Sequence, residues 1–425
     1  MRVLWLCNIM LPAVAKALGK EVHNKEGWLT GLSEKLLENK DENGIELGIC
    51  FPVGKEGDAC KGKLDGFSFY GFREDVVNPE IYDLSLETEL KNILEDFQPQ
   101  VVHVFGTEYP HTLALTRCIE DKIKVVIGVQ GICSQIAKSY MANLPKGIQN
   151  RFLFRDLLKQ DNIKQQQKKF ELRGKNEIMA IQNVTNVMGR TDWDQEIISQ
   201  MNPQARYFVL NETLRPIFYK KQWDLNKCER NSIFFSQANY PLKGFHYLLE
   251  AMPDIINAFP ETKVYVAGDV ITRYHSIYEK IKIGSYGKYC LSLIKKYGLA
   301  DRIHFVGKLD EEAMCDQYLH CHLFLSASAL ENSPNSVGEA MLLGMPVISS
   351  LVGGVPSMLQ NGKEGILYPC EDTSKLAESV KRIFQNDDLA LQYGKEARKR
   401  AIITHDPEAN YERLLEIYTQ LGRDK

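Results

Sequence analysis

Short apolar runs rich in β-branched residues recur along the chain: RVLWLC, IELGICFPV, VVHVF, KVVIGV and NVMGR in the first half. Between them lie helix-length amphipathic segments such as WLTGLSEKLLEN. Strands of four to six residues alternating with helices imply right-handed βαβ units, whose parallel sheets are covered on both faces. The rhythm breaks between about 199 and 230, where Pro203, Pro216 and clustered charges suggest a connector carrying one short strand. It then restarts with SIFFSQ, TKVYVAG, RIHFVG, LFLSAS and PVISS. The last helix, in HDPEANYERLLEIYTQLG, opens at an Asp-Pro cap signal. The pattern predicts an α/β protein of two doubly wound, Rossmann-like domains facing a cleft: residues 1–205, residues 206–405, and a final helix, 406–425, crossing back to the first domain. In such sheets ligands sit outside the carboxyl ends of the strands, where the strand order reverses.

Composition narrows the function classes. At 425 residues the chain exceeds one ordinary core. No apolar run approaches the roughly 18 residues of a membrane-spanning helix. Lys plus Arg number 52 against 55 Asp plus Glu, so nothing global advertises nucleic-acid binding. The ten cysteines are scattered without a C-x-x-C pair, as reduced cytosolic thiols are. Arg2 through Ala15 superficially imitates a secretory signal, but Asn8 and Pro12 interrupt its apolar part, and a buried first strand over Arg2–Cys7 is the better reading.

The most informative segment is ENSPNSVGE, which sets Glu331 and Glu339 eight positions apart between the strand LFLSAS and an apolar helix. Its small residues let backbone N–H groups approach a ligand. A helix start near Ser336 or Val337 adds donors and a positive dipole end, which makes an anion site suited to a diphosphate. Glu339 is placed to accept a hydrogen bond from a ribose hydroxyl, and Glu331 faces a sugar. Taken as an isolated pair, the two glutamates are more simply a helix cap and a solvated side chain.

Together with GMPVISSLVGGVPSMLQNGKEGILYP, SQANYPLKGFHYLLEAM, VYVAGD and IHFVGKL in that family's order, this segment resembles family 4 retaining glycosyltransferases, whose architecture is GT-B. The resemblance covers nearly the whole chain and is strongest from about 230 to 370. It implies that Glu339 binds the donor ribose, Glu331 contacts the donor sugar and Lys243 binds phosphate. It likewise implies that Asn335, Ser336 and Val337 lie over the diphosphate, that Gly307 and Lys308 line the base pocket, and that Gly27, in NKEGWLTGL, belongs to a glycine loop near the donor phosphates. Two positions depart from the family. Gln237 stands where an arginine commonly supplies a second cation, and a neutral amide hydrogen-bonds phosphate without charge. Gln130-Gly131 stands where a histidine often serves the reacting centre. His111, after Pro110 at a loop-to-helix start, is the nearest substitute, whereas His103, inside VVHVF, reads as a buried core histidine.

Other constellations read more blandly. Cys315, His320, Cys321 and His322 fit no zinc spacing, because adjacent strand residues point to opposite faces. Asp192-Trp193-Asp194 imitates a metal-binding D-x-D, yet Thr191 through Asp194 is better read as a capping box opening the helix DQEIISQM. Residues 146–175 carry nine Lys or Arg against three Asp or Glu, with interleaved apolar residues. A peripheral membrane surface and a solvated helix packed by its apolar face stand side by side as readings.

The resemblance implies a retaining, metal-independent glycosyltransferase. It would move sugar from a nucleoside diphosphate, favoured as UDP, to a hydroxyl of a glycan or lipid-linked glycan. It needs no cofactor beyond the nucleotide-sugar co-substrate and no nucleic acid, and works in the cytoplasm, at the inner face of the cytoplasmic membrane if 146–175 binds there. The implied setting is bacterial capsule, exopolysaccharide or surface-antigen synthesis. A GT-B nucleotide-sugar epimerase and a non-catalytic nucleotide-sugar-binding subunit are the competing readings.

Overall fold

The structure is a computed structural model that describes all residues except 21–26, 65, 160, 273–282 and 424–425. The chain forms two compact units, 1–137 with 169–214 and 405–425, and 138–168 with 215–404. Residues 138–168, inside the stretch expected to be the first domain, therefore pack in the second unit.

The first unit is built on an eight-stranded sheet in the order β3-β4-β2-β1-β5-β6-β7-β8. Its strands are β1 (Arg2–Cys7), β2 (Glu46–Pro52), β3 (Cys60–Leu64), β4 (Phe67–Phe72), β5 (Val101–Phe105), β6 (Lys124–Gly128), β7 (Asn186–Gly189) and β8 (Arg206–Val209). All neighbours are parallel except the β3–β4 pair. β1 shows why the first apolar run is a strand. Val3, Trp5 and Cys7 face one layer of the core, where Leu414, Ile417 and Leu421 of the final helix pack. Leu4 and Leu6 face the opposite layer, with Leu90 and Leu94. This alternation buries both faces, as a central parallel strand requires.

The final helix, Pro407–Arg423, is capped by Asp406, whose Oδ1 accepts from the amides of Glu408 and Ala409, each at 2.9 Å. It is pinned to the first unit by Tyr418, whose hydroxyl accepts from Trp5 Nε1 at 2.8 Å and donates to His103 Nδ1 at 2.7 Å. His103 is thus a satisfied core histidine, and burial holds its pKa down to about 3.

The second unit carries six strands, all parallel, in the order β11-β10-β9-β12-β13-β14. They are β9 (Glu229–Phe235), β10 (Lys263–Ala267), β11 (Ile303–Gly307), β12 (Cys321–Ser326), β13 (Val347–Ser350) and β14 (Ile366–Tyr368). The chain runs outward from β9 through β10 to β11 and then returns to the other side of β9 as β12. The carboxyl ends of β9 and β12 therefore flank the point where the order reverses, and a ligand crevice belongs there.

The basic stretch 146–175 is divided among three helices, Lys146–Gln149, Phe154–Lys159 and Ile163–Gln182. Among the described residues no helix is long and apolar enough to cross a membrane. All ten cysteines are free thiols.

Candidate active site

After β9 the chain makes a single 3-10 turn, Pro241–Lys243, and enters the helix Phe245–Ala258 through Gly244 at φ 70°. A Cβ at Gly244 would lie 1.8 Å from the Ala327 carbonyl oxygen, so only glycine allows this turn to rest on the exit of β12. The amide of Ala329 donates to Leu242 O at 2.7 Å and ties the two crossings together. Lys243 is thereby presented to Glu331, with Nζ 2.6 Å from Oε1. The Ser328 hydroxyl donates to the same oxygen at 2.6 Å. Burial alone would lower the lysine pKa, but the Glu331 carboxylate and Tyr240 outweigh it and hold it above its ordinary value. Lys243 is a fixed cation.

The glycine-rich loop supports Glu331 from beneath. Gly354 N–H donates to Glu331 O at 3.0 Å, and a Cβ at Gly353, φ 49°, would lie 2.0 Å from that oxygen. The helix Asn335–Leu343 begins four residues on, after Pro334. In its first turn the amides of Asn335 and Ser336 have no intrahelical acceptor, and the positive dipole end reinforces them, whereas Val337 N–H already reaches Pro334 O at 3.0 Å. One turn further, Glu339 is 6% exposed. Its Oε1 accepts from Arg215 Nε at 2.8 Å and lies 2.7 Å from Arg215 Nη2, and the Tyr318 hydroxyl reaches Oε2 at 3.4 Å. Burial raises the Glu339 pKa above its ordinary value, and Arg215 opposes that shift. Nothing in the local sequence marks Arg215, which lies 124 positions from its partner.

The remaining predicted positions are placed as follows. Gln237 is half-buried between β9 and the Lys243 turn, beside Gly268. Gly307, at φ 80°, ends β11 and its carbonyl accepts from Gly268 N at 2.8 Å. Lys308 is 81% exposed and pairs with Asp269 at 3.1 Å. In the first unit Gly27 is the first residue of the helix Gly27–Glu38, and the residues before it, 21–26, lie outside the described ones. Gln130 follows β6, and its Oε1 accepts from Arg190 Nη2 at 3.1 Å. His111 does not open onto a crevice. It is fully buried, with Nδ1 2.7 Å from Glu74 Oε2 and Nε2 3.0 Å from Asn8 Oδ1, so both ring nitrogens are occupied. Glu74 and Asn8 are far from His111 in sequence, and no local pattern announces either.

Thr191 and Asp194 form the capping box of the helix Asp192–Met201, which gives Asp194 a structural task. His322 is stacked against Trp223 and Phe384, whereas His320 lies 3.3 Å from Glu229, and among the described residues no three metal-capable groups converge.

A cation, a carboxylate and a helix N-terminus thus meet where the strand order reverses, an arrangement fit to hold a diphosphate beside a hydroxylated ring. Residues 218–400, within the second unit, match the family model described as glycosyl transferases group 1. Over those residues the chain is similar to group 1 glycosyl transferases. The chain is 26% identical over 199 residues to N-acetyl-alpha-D-glucosaminyl L-malate synthase of Bacillus anthracis, covering 45% of this chain and 52% of that protein. It is 25% identical over 172 residues to phosphatidyl-myo-inositol mannosyltransferase of Mycobacterium leprae, covering 40% and 41%. The match thus spans about half the length of the first relative and less of the second. Among solved structures, a sucrose-phosphate synthase from Thermosynechococcus elongatus superposes with a TM-score of 0.71 at 15% identity over 99% of both chains. HepE of Anabaena in complex with UDP gives 0.63 at 14% identity, covering 99% of this chain and 100% of that one. The chain has the GT-B fold.

Proposed function

We propose that this protein is a retaining, metal-independent glycosyltransferase that transfers a sugar from UDP to a hydroxyl of a glycan or lipid-linked glycan. The observation that carries the reading is the Lys243–Glu331 pair, held at 2.6 Å on the switch point of the second sheet and followed by an open helix N-terminus. A half-buried ammonium kept charged by one carboxylate is a poised cation. On arrival of a diphosphate it exchanges that partner for phosphate oxygens, while Glu331 turns to the hydroxyls of the donor sugar. The amides of Asn335 and Ser336 take a second phosphate, and Glu339 accepts from the ribose. The structure of HepE with UDP supports the choice of base.

In the reaction the bond from the sugar's anomeric carbon to the diphosphate oxygen breaks as the acceptor oxygen bonds to the same face of that carbon. The acceptor proton passes to the departing phosphate oxygen. No side-chain nucleophile is required, and the protein contributes position and positive charge where negative charge grows. The test is calorimetric binding of UDP, GDP and ADP in excess chelator, followed by turnover of UDP-sugars with and without acceptors. Selective UDP binding, with turnover abolished by Lys243→Ala and Glu331→Ala, is expected. Binding only with added divalent metal, or conversion of the donor sugar without any acceptor, overturns the reading.

A further inference from the structure

A cavity of about 450 Å³ lies wholly within the second unit, and none of the residues assigned above to the donor lines it. That volume is in the range of sites for small organic ligands. Leu391, Lys395, Arg398, Lys399 and Ile402 recur at helical spacing along the helix Asp387–Thr404 and form one wall. Trp223, from the segment that leads into β9, and Gly344, where the helix Asn335–Leu343 ends, complete it.

The walls are fastened to one another. A Cβ on Gly394 would lie 2.0 Å from Gly344 O, so the two glycines let the helix rest directly on the neighbouring helix end. Trp223 N–H donates to Leu343 O at 2.8 Å, and its ring nitrogen Nε1 donates to Cys321 O at 2.8 Å. The indole is therefore fixed with its one polar atom already satisfied, and only its apolar carbon surface is left to a ligand. Leu391 and Ile402, 48% and 45% exposed, add apolar surface that a ligand would cover.

The charges of the lining select the other half of the ligand. Three cations line the cavity and no carboxylate does. Arg398 is held by carbonyl oxygens alone, those of Leu342, Lys221 at 3.2 Å and Tyr219 at 3.3 Å. Burial lowers its pKa, and no carboxylate counters that shift. Lys395 is exposed and makes no ion pair among the described residues. Lys399 pairs with Glu396 at 2.6 Å, and the charge of Lys395 also acts on that carboxylate. One carboxylate beside three cations leaves a surplus of positive charge next to an apolar surface, and that combination suits a ligand with one acidic end and one apolar end.

We infer that this cavity binds a small amphiphilic anion, with its acidic head group at Lys395 and Arg398 and its apolar body against Trp223, Leu391 and Ile402. The inference does not depend on the donor site or on the transferase reading. Its test is calorimetry of the full chain with dodecyl phosphate, kept below the concentration at which it aggregates, beside inorganic phosphate and the uncharged dodecyl maltoside. Lys395→Glu reverses a charge at the cavity, and Ile402→Asp removes an apolar wall. Lys122→Glu makes the same charge change at an exposed site of the first unit. All three side chains are exposed, and thermal unfolding of each variant separates loss of binding from loss of fold. Binding of dodecyl phosphate that weakens about tenfold or more in Lys395→Glu and in Ile402→Asp, but not in Lys122→Glu, supports the site, as expected for one lost charged contact or one lost apolar contact. No binding, equal binding of dodecyl maltoside or of inorganic phosphate, or equal weakening in Lys122→Glu overturns it. Attachment to phosphatidylglycerol vesicles without uptake of free dodecyl phosphate also overturns the cavity, in favour of a bilayer surface.

Discussion

Arg215 offers a sharp test of the donor site, because its removal drives binding and stability in opposite directions with pH. In the native protein its guanidinium makes two contacts of 2.8 and 2.7 Å to Glu339 Oε1, and burial already raises the glutamate pKa. Arg215→Met leaves that carboxylate buried with only the Tyr318 hydroxyl at 3.4 Å. Breaking a buried pair from one side costs about 3–5 kcal/mol. Losing the guanidinium pushes the Glu339 pKa further upward, because burial then acts unopposed. A carboxyl whose folded pKa lies above its unfolded one stabilises the fold at low pH and loses that stability as pH rises through the folded value. The stability deficit of Arg215→Met is therefore larger at pH 9 than at pH 6. Nucleotide affinity runs the other way. The ribose needs the ionised carboxylate, and a hydrogen bond to a charged group is worth about 1.5–3 kcal/mol, roughly ten- to a hundredfold in affinity. UDP binding to the variant is weakest at pH 6 and recovers toward pH 9, while the native affinity stays comparatively flat. Calorimetry with UDP and thermal unfolding across that range measure both trends. A variant that tracks the native affinity throughout, or whose stability deficit is the same at pH 6 and pH 9, refutes the reasoning.

Gly244→Ala adds a methyl 1.8 Å from Ala327 O at a φ of 70°, so the Lys243 turn is displaced. The expected outcome is a stability loss of at least about 1 kcal/mol in urea denaturation and loss of UDP binding in calorimetry. Gln237→Arg restores a second cation beside the Lys243 turn and tightens UDP several-fold, whereas an unchanged affinity removes Gln237 from the phosphate site. Burial holds His103 to about 3 and His246 and His322 to about 4, against an ordinary 6.5, and lowers His405 as well, so below pH 6.5 the unfolded chain binds protons that the folded chain refuses. Glu177, pushed up to about 7 by burial, and the raised Glu339 act in the opposite sense. Four histidines outnumber the two glutamates, so stability falls as the pH is lowered from 7 to 5, and equal urea midpoints at pH 7 and pH 5 contradict it.

The strands were legible because parallel sheets bury both faces, so RVLWLC or VVHVF stands out as an apolar run. β3, β4 and β14 do not stand out in that pattern. β3 alternates with exposed lysines at the sheet edge, where Lys61 and Lys63 face solvent, and β14 has three residues. Within the site, local spacing carried the two glutamates and the helix start. Lys243-Gly244 was visible as a pair, but its cause, the approach of Ala327 O, is a contact between distant strands. Arg215 with Glu339, and segment 138–168 with the second unit, are long-range pairings of the same kind. His111 shows the reverse error. A histidine at a helix start looks available until Glu74 and Asn8, brought in from other strand ends, occupy both its nitrogens.

The two sheets obey one topological rule but present different chemistry at their switch points. In the second unit the crevice outside β9 and β12 holds a cation and the open amides of a helix start. In the first unit the order reverses between β1 and β5, and the residues that follow those strands are tied to one another. Asn8 Nδ2 donates to Glu108 Oε2 at 3.0 Å, and Gly131 N–H to Glu108 Oε1 at 2.8 Å. The amides of Cys133 and Ser134, another helix start, are already filled by the Glu177 carboxylate at 2.7 and 3.0 Å. Among the described residues a diphosphate would meet carboxylates and filled amides at these strand ends, which favours the proposed site in the second unit. That leaves the first unit's strand ends to groups that donate hydrogen bonds to carboxylates, as hydroxyls do. The proposed division between phosphate and hydroxyl binding thus rests on which side chains end the strands, not on the reversal of strand order that both sheets share.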